Sequence, residues 1–266
     1  MGVLGLVLAI VYALTITEKR LQAHEIPDPA ARLEPQDSAL LTRGRFRTLF
    51  STPAVITAYL GSGLQLFMTG TLLAWLPSFF NRAYGMTPDR AGKVAALFLL
   101  LLGVGMIGTG LISDRLGRHR PERRWTTSIA YAVVSLIFLV AAFSLQPGAA
   151  QLTLLAFGAF FCSGPAGPAG AMVATLTTPS IRATAFATLA LANNVLGLAL
   201  GPIVTGRIAD SIGLAGALRI VPWVGLLAIV ALYVGWRTHH SSLARLGLAG
   251  ATATRAARSA GAGGAS

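Results

Sequence analysis

Residues 92–124 read GKVAALFLLLLGVGMIGTGLISDRLGRHRPERR. Between Gly92 and Ile112 the run carries one charge, Lys93; from Ser113 onward it turns abruptly to Asp114, Arg115, Arg118, Arg120, Glu122, Arg123 and Arg124. About 20 apolar residues rising 1.5 Å each cover the ~30 Å of bilayer hydrocarbon. A water-facing helix of that length needs a polar face, and this one has none. The stretch therefore reads as a membrane-spanning helix that ends in a charged loop.

The same pattern recurs along the chain. Apolar runs at 53–80, 125–143, 152–176, 183–204 and 218–236 join 92–112 to make an all-α, six-helix transmembrane bundle spanning 51–236. The composition agrees, with 54% hydrophobic and 11% charged residues in 266 and a mean hydropathy of +0.68. Lipid is then the outer solvent, since a soluble domain of this size needs a polar coat. The 30 glycines and 13 prolines suit membrane helices, where close backbone approach drives packing.

Ahead of the bundle, 1–17 is apolar and is closed by Glu18, Lys19 and Arg20. A signal peptide carries its charge before the apolar core, so the segment reads instead as the remnant of a preceding transmembrane helix. Residues 18–50 form the longest polar stretch, a loop whose second part has the makings of a surface amphipathic helix. The tail 237–266 is rich in Ala, Gly and Arg, with too few bulky apolar residues to pack, and is expected to be disordered.

The formal net charge of +12 would suit a nucleic-acid binder if the basic residues lined one face. They lie between and after the apolar runs instead, which removes nucleic acid as a partner and names the lipid bilayer. With the amino end outside, the inner segments 18–50, 113–124, 177–182 and the tail hold 16 of the 21 Lys and Arg. The outer side keeps Arg82, Arg90, Lys93, Arg207 and Arg219. The positive-inside rule thus predicts a multi-pass cell-membrane protein with a cytoplasmic carboxyl tail.

No cofactor or metal is called for. Cys162 is alone in an apolar run, and His24, His119, His239 and His240 make no spaced ligand set. Paired carboxylates on one face and a phosphate-binding Gly-rich loop are also missing, so an enzyme is not expected.

The segment GTGLISDRLGRHRPERR, 108–124, reads on its residues as a glycine-hinged turn crowded with charge, in which Gly117 permits a tight reversal. A generic basic loop that only fixes topology is the alternative. Gly110-x-x-x-Asp114-Arg115-x-Gly117-Arg118-His119-Arg120 resembles the cytoplasmic loop motif of the major facilitator superfamily, found between the second and third helices of each half. WLPSFFNRAYGMTPDRAG, 75–92, looks like the family's seventh and eighth helices, and IRATAFATLALANNVLGLALGPIVTGRIAD, 181–210, like its eleventh. The resemblance implies secondary active transport of a small solute by alternating access. It assigns Gly110, Asp114, Arg115, Gly117, Arg118 and Arg120 a gating rather than a solute-binding role. It also implies that the chain is the carboxyl-side half of a transporter, a probable fragment whose missing partner is the amino-side bundle. A non-transporting membrane scaffold or an inactive fragment is the other reading.

Within the runs there is no carboxylate: Glu18, Asp89, Asp114, Glu122 and Asp210 all sit at ends or in loops. A proton or sodium relay would therefore lie in the missing half. Midmembrane polar groups are few. Tyr59 and Gln65 lie roughly 120° apart on a helix, whereas Thr69, four after Gln65, shares its side. Asn193 and Asn194 point about 100° apart, so at least one faces the interior. Tyr59, Gln65, Thr69, Asn193 and Asn194 are the pathway candidates, with interhelical hydrogen bonding as the alternative. In CSGPAGPAG, 162–170, Pro165 and Pro168 are hinge candidates, because each removes a backbone donor and frees a carbonyl for a neighbour, water or solute.

Overall fold

The computed structural model describes residues 52–177, 179–239, 241, 242 and 244. The amino-terminal remnant at 1–17, the loop at 18–50 and nearly all of the tail at 237–266 lie outside the described residues. Every regular element described is helical. Helix α1 spans Pro53–Tyr84, α2 Pro88–Gly117, α3 Arg123–Ser144, α4 Ala149–Cys162, α5 Ala166–Thr175 and α6 Pro179–Ala192. A π-helical turn at Asn193–Ala199 leads into α7, Leu200–Ile220. A 3₁₀ turn, Val221–Trp223, then opens α8, which covers 224–239.

The helix ends follow from the residues there. Pro53 and Pro88 open α1 and α2 at positions where a missing N–H costs nothing. Gly85 stops α1 in the left-handed region at φ 64°. In the first turn of α2, Asp89 meets Lys93 at 2.8 Å, an exposed pair of little energetic weight. Gln146-Pro147-Gly148 separates α3 from α4.

Five helical stretches are long and apolar enough to cross a membrane: Pro53–Tyr84, Pro88–Gly117, Arg123–Ser144, Ala149–Thr175 and Ile181–His239. The count differs from the expected six because the sequence between the last two apolar runs does not form a loop. Its Ala, Ile and Leu continue the helix, and the last stretch is 59 residues long. One residue interrupts it, Gly213 at φ 78° and ψ 159°, a region that is essentially glycine's alone.

Two apolar clusters fill the interior. Phe79, Phe80, Phe98, Leu139, Phe143 and Leu218 belong to one, and Val55, Trp125, Met172, Val173, Leu189 and Leu232 to the other. Small residues bring α1 against the π turn and α7. A side chain at Gly201 would collide with the Phe67 carbonyl, and one at Gly197 would lie 2.6 Å from Leu66 Cβ. The seam is fastened by Thr71 and Thr205, whose hydroxyls are 3.0 Å apart, and by the Trp75 indole donating to the Pro202 carbonyl at 3.1 Å. Such contacts replace the hydrophobic drive that lipid removes.

Helix α2 is held differently. It touches the bundle through one stripe, Ala91, Ala95, Phe98, Leu102, Gly105 and Thr109, and at Gly105 it lies against the Phe160 backbone. The opposite stripe, Leu97, Leu100, Val104, Ile107 and Leu111, is more than half exposed at every position. An apolar surface on that scale fits lipid or a second bundle, not water.

Candidate functional site

The break between α4 and α5 is where the pathway candidates of α1 converge. Gly164 N–H donates to Phe161 O and Ala166 N–H to Ser163 O, so the Cys162 carbonyl loses the donor a continuous helix would give it. Gln65 Nε2 takes that place at 3.1 Å, from a side chain only 3% exposed. One turn on, Thr69 Oγ1 lies 3.3 Å from Ser163 Oγ and 3.5 Å from Cys162 Sγ. Gln65 and Thr69 thus share a side, as their spacing requires, and that side faces the break. Pro165 sits in the break itself, whereas Pro168 lies in the first turn of α5, where its missing N–H frees no further carbonyl from a regular helix.

Tyr59 turns toward α6 instead. It is 4% exposed and, with Ile56, Leu60, Thr188, Leu191 and Val195, lines a groove of about 360 Å³ between α1 and the α6–π segment. Asn193 and Asn194 open the π turn. Asn194 is exposed and donates to the Ala190 carbonyl at 2.8 Å, competing with the backbone ladder where the helix widens. Asn193 has its Oδ1 enclosed.

Four acceptor-capable atoms in this region are buried without a hydrogen-bond partner among the described residues: Tyr59 Oη, Ser62 Oγ, Gln65 Oε1 and Asn193 Oδ1. Buried polar atoms are rarely left so, and those that are call for water, an ion or a ligand. Ser62 is the residue the sequence reading missed. Its signal was available, since it lies three residues from both Tyr59 and Gln65 and so in the middle of the ~120° arc between them. Tyr131 and Ser135 behave otherwise: their hydroxyls donate to Thr109 O and Gly158 O, both at 3.2 Å, and fasten neighbouring helices.

The charged motif is built differently from a glycine-hinged turn. Gly110, Asp114, Arg115 and Gly117 all belong to α2, and Arg118 continues with right-handed helical dihedrals. Among the described residues only Gly85 and Gly213 have positive φ, so Gly117 makes no reversal. It is small for another reason: a Cβ there would stand 2.7 Å from Cγ of Arg124, whose stem crosses this point as α3 begins. Ser113 Oγ and Thr127 Oγ1, 3.1 Å apart, fix the same crossing one turn deeper. Asp114, Arg115, Arg118 and Arg120 are all exposed, and Asp114 continues the exposed stripe of α2 beyond Leu111.

A bundle of long apolar helices, with buried polar atoms on its most enclosed helix and charge at the helix ends, defines a multi-pass membrane protein built like a carrier. The sequence model of the Major Facilitator Superfamily matches residues 1–152, more than half of the chain, and the chain belongs to that family. The family is one of transporters without a catalytic centre, so the protein is not an enzyme.

An MFS-type efflux pump of Mycolicibacterium smegmatis (strain ATCC 700084 / mc(2)155) is 27% identical over 172 residues, 64% of this chain and 40% of the pump. The nitrate/nitrite transporter NrtP of Nostoc punctiforme (strain ATCC 29133 / PCC 73102) is 31% identical over 97 residues, 36% of this chain and 19% of that protein. Among solved structures, a bacterial homolog of the human lysosomal transporter Spinster, inward-facing and unoccupied, superposes with a TM-score of 0.67 at 15% identity. The match covers 82% of this chain and 53% of that one. The occupied inward-facing form gives 0.56 at 16% identity, over 73% and 50%. These structures establish the fold alone, and the chain spans about half or less of the length of the relatives it matches.

Proposed function

We propose that the chain is the carboxyl-side half of a secondary transporter, which moves a small solute by alternating access against an amino-side bundle of similar size. The observation that carries the reading is the unburied face of α2. Its stripe of Leu97, Leu100, Val104, Ile107 and Leu111 runs straight into Asp114, and a side chain added at Gly103 or Gly110 would meet nothing within 4 Å. A helix that is apolar to one end and charged at that end suits a second bundle that docks and releases.

Gly213 supports counting six spans. At 1.5 Å per residue the stretch from Ile181 to His239 would be nearly 90 Å long, roughly three bilayer cores. Divided at Gly213 it gives two spans, and charge bias then puts the α2–α3 junction and the carboxyl tail in the cytoplasm. In this reading Gly110, Asp114, Arg115, Gly117, Arg118 and Arg120 bias the closed and open arrangements. Tyr59, Gln65, Thr69, Asn193 and Asn194, joined by Ser62, border the solute path, and the break at Pro165 flexes. The membrane and a small solute are the partners.

The test is Asp114→Asn in the chain expressed together with its amino-side bundle, with solute flux followed in proteoliposomes over a panel of organic cations, sugars and inorganic anions. Flux should fall at least tenfold while insertion into the membrane stays at the unsubstituted level. Equal loss of both would remove the gating role.

A further inference from the structure

We propose that the junction of α2 and α3 is a binding site for the headgroup of an anionic phospholipid. Five arginines lie there within ten residues, Arg115, Arg118, Arg120, Arg123 and Arg124, against two carboxylates, Asp114 and Glu122. Four of them are exposed. The fifth is set into the structure. The stem of Arg124 lies in the notch left by Gly117, and its Nε is closed off from water with no hydrogen-bond partner among the described residues. A guanidinium stripped of part of its hydration and left unpaired is unfavourable, and an anionic oxygen at the partly exposed remainder of the group removes that cost.

The position is fixed rather than adaptable. Ser113 with Thr127, and Thr109 with Tyr131, clamp the two helices in register immediately beneath it. The planar fork of arginine suits phosphate oxygens. What makes the ligand a lipid rather than free phosphate is the surface alongside. Ile112 and Leu116, about a quarter-turn or more around α2 from the stripe assigned to the second bundle, are exposed apolar side chains next to the arginines. Charge at the end of a spanning helix above an apolar flank matches a phosphate with acyl chains below it.

The experiment uses the full chain purified in mild detergent and mixed with equal amounts of phosphatidylglycerol or phosphatidylcholine, the bound lipid being counted by native mass spectrometry. Phosphatidylglycerol should be retained preferentially. Arg118→Gln, Arg120→Gln and Arg124→Gln together should weaken that retention by roughly fivefold per charge removed. Arg82→Gln with Arg90→Gln, at the α1–α2 turn, should leave it unchanged. Arg124→Lys keeps the charge and a fold-compatible stem but not the fork, and should still weaken retention severalfold. Equal retention of the two lipids, a triple variant that behaves as the Arg82 and Arg90 control does, or an Arg124→Lys protein that binds as the unsubstituted chain does would each overturn the site.

Discussion

Replacing Gln65 by Leu tests whether the break in the α4–α5 span is held shut by a side chain from α1. The substitution removes the 3.1 Å bond from Nε2 to the Cys162 carbonyl and leaves that carbonyl buried without a donor. Losing a buried partner costs about 1–3 kcal/mol in water-soluble proteins, and about 0.6–1.7 between membrane helices. Part of this is returned, because Gln65 Oε1 is itself buried and unpartnered and disappears with the amide. A net loss of about 1 kcal/mol is therefore expected, equivalent to roughly a fivefold shift toward an opened break. The chain supplies its own reporter: Cys162 is the one cysteine in the sequence, fully buried, and it sits at the break. Its rate of alkylation by a maleimide in the folded protein should rise about fivefold in Gln65→Leu. Thr71→Val is the control, since it removes a buried bond of similar length, the 3.0 Å contact with Thr205 Oγ1, away from the break. If Cys162 reacts no faster in Gln65→Leu than in the unsubstituted chain, or equally fast in both variants, Gln65 does not hold the break.

Gly213→Ala should cost about 1–3 kcal/mol, read as a lower Tm in detergent, because the backbone there is in a region closed to other residues although a side chain would meet no obstacle. On α2, Gly105→Ala should lower the yield of folded protein, since the new methyl would meet the Phe160 backbone, while Gly103→Ala, two residues away, should leave yield and Tm unchanged in this chain. Deleting Leu198 should convert the π turn to ordinary helix, because a π turn takes up one extra residue and its removal leaves the flanking helices in register; a monodisperse species on gel filtration is expected, because Gly201 and Thr205 stay on the α1 face.

Most of the bundle was legible because spanning helices must be long and apolar, and lipid lets no polar face obscure the count. The helix start at Pro53, the span through 92–112 and the interruption near Pro165 were all visible in the residue types, whereas the first turn of α2, from Pro88, was not read. Two features were misread for local reasons. Asp114, Arg115 and Gly117 look like a loop because charge usually ends a span, yet a helix can run beyond the hydrocarbon, and α2 does so to Gly117. Likewise 205–217 carries Arg207 and Asp210, so it reads as a connection. Its Ala, Ile and Leu nevertheless keep the backbone helical on either side of Gly213. Charge marks where lipid ends, and only caps and left-handed residues mark where a helix ends.

The candidate site was less legible, because it depends on which donors a helix loses and on how two helices stay in register. Between Ile181 and Thr205 the residues that turn to α1 or the interior are Ile181, Ala185, Leu189, Gly197, Gly201 and Thr205, all on a spacing of four or its multiple, with Asn193 filling the gap. On a helix of 3.6 residues per turn, steps of four drift by about 40° each and would carry Gly201 off the face that Ile181 starts. The wide turn at Asn193–Ala199 takes up part of that drift, and it does so where Asn194 has diverted the Ala190 carbonyl from the backbone ladder. The spacing was therefore a signal for a π turn, and it was present in the sequence. The same turn that keeps the small residues against α1 is what leaves Asn193 Oδ1 enclosed beside it, so the close packing of this seam and its unsatisfied polar atoms have one cause.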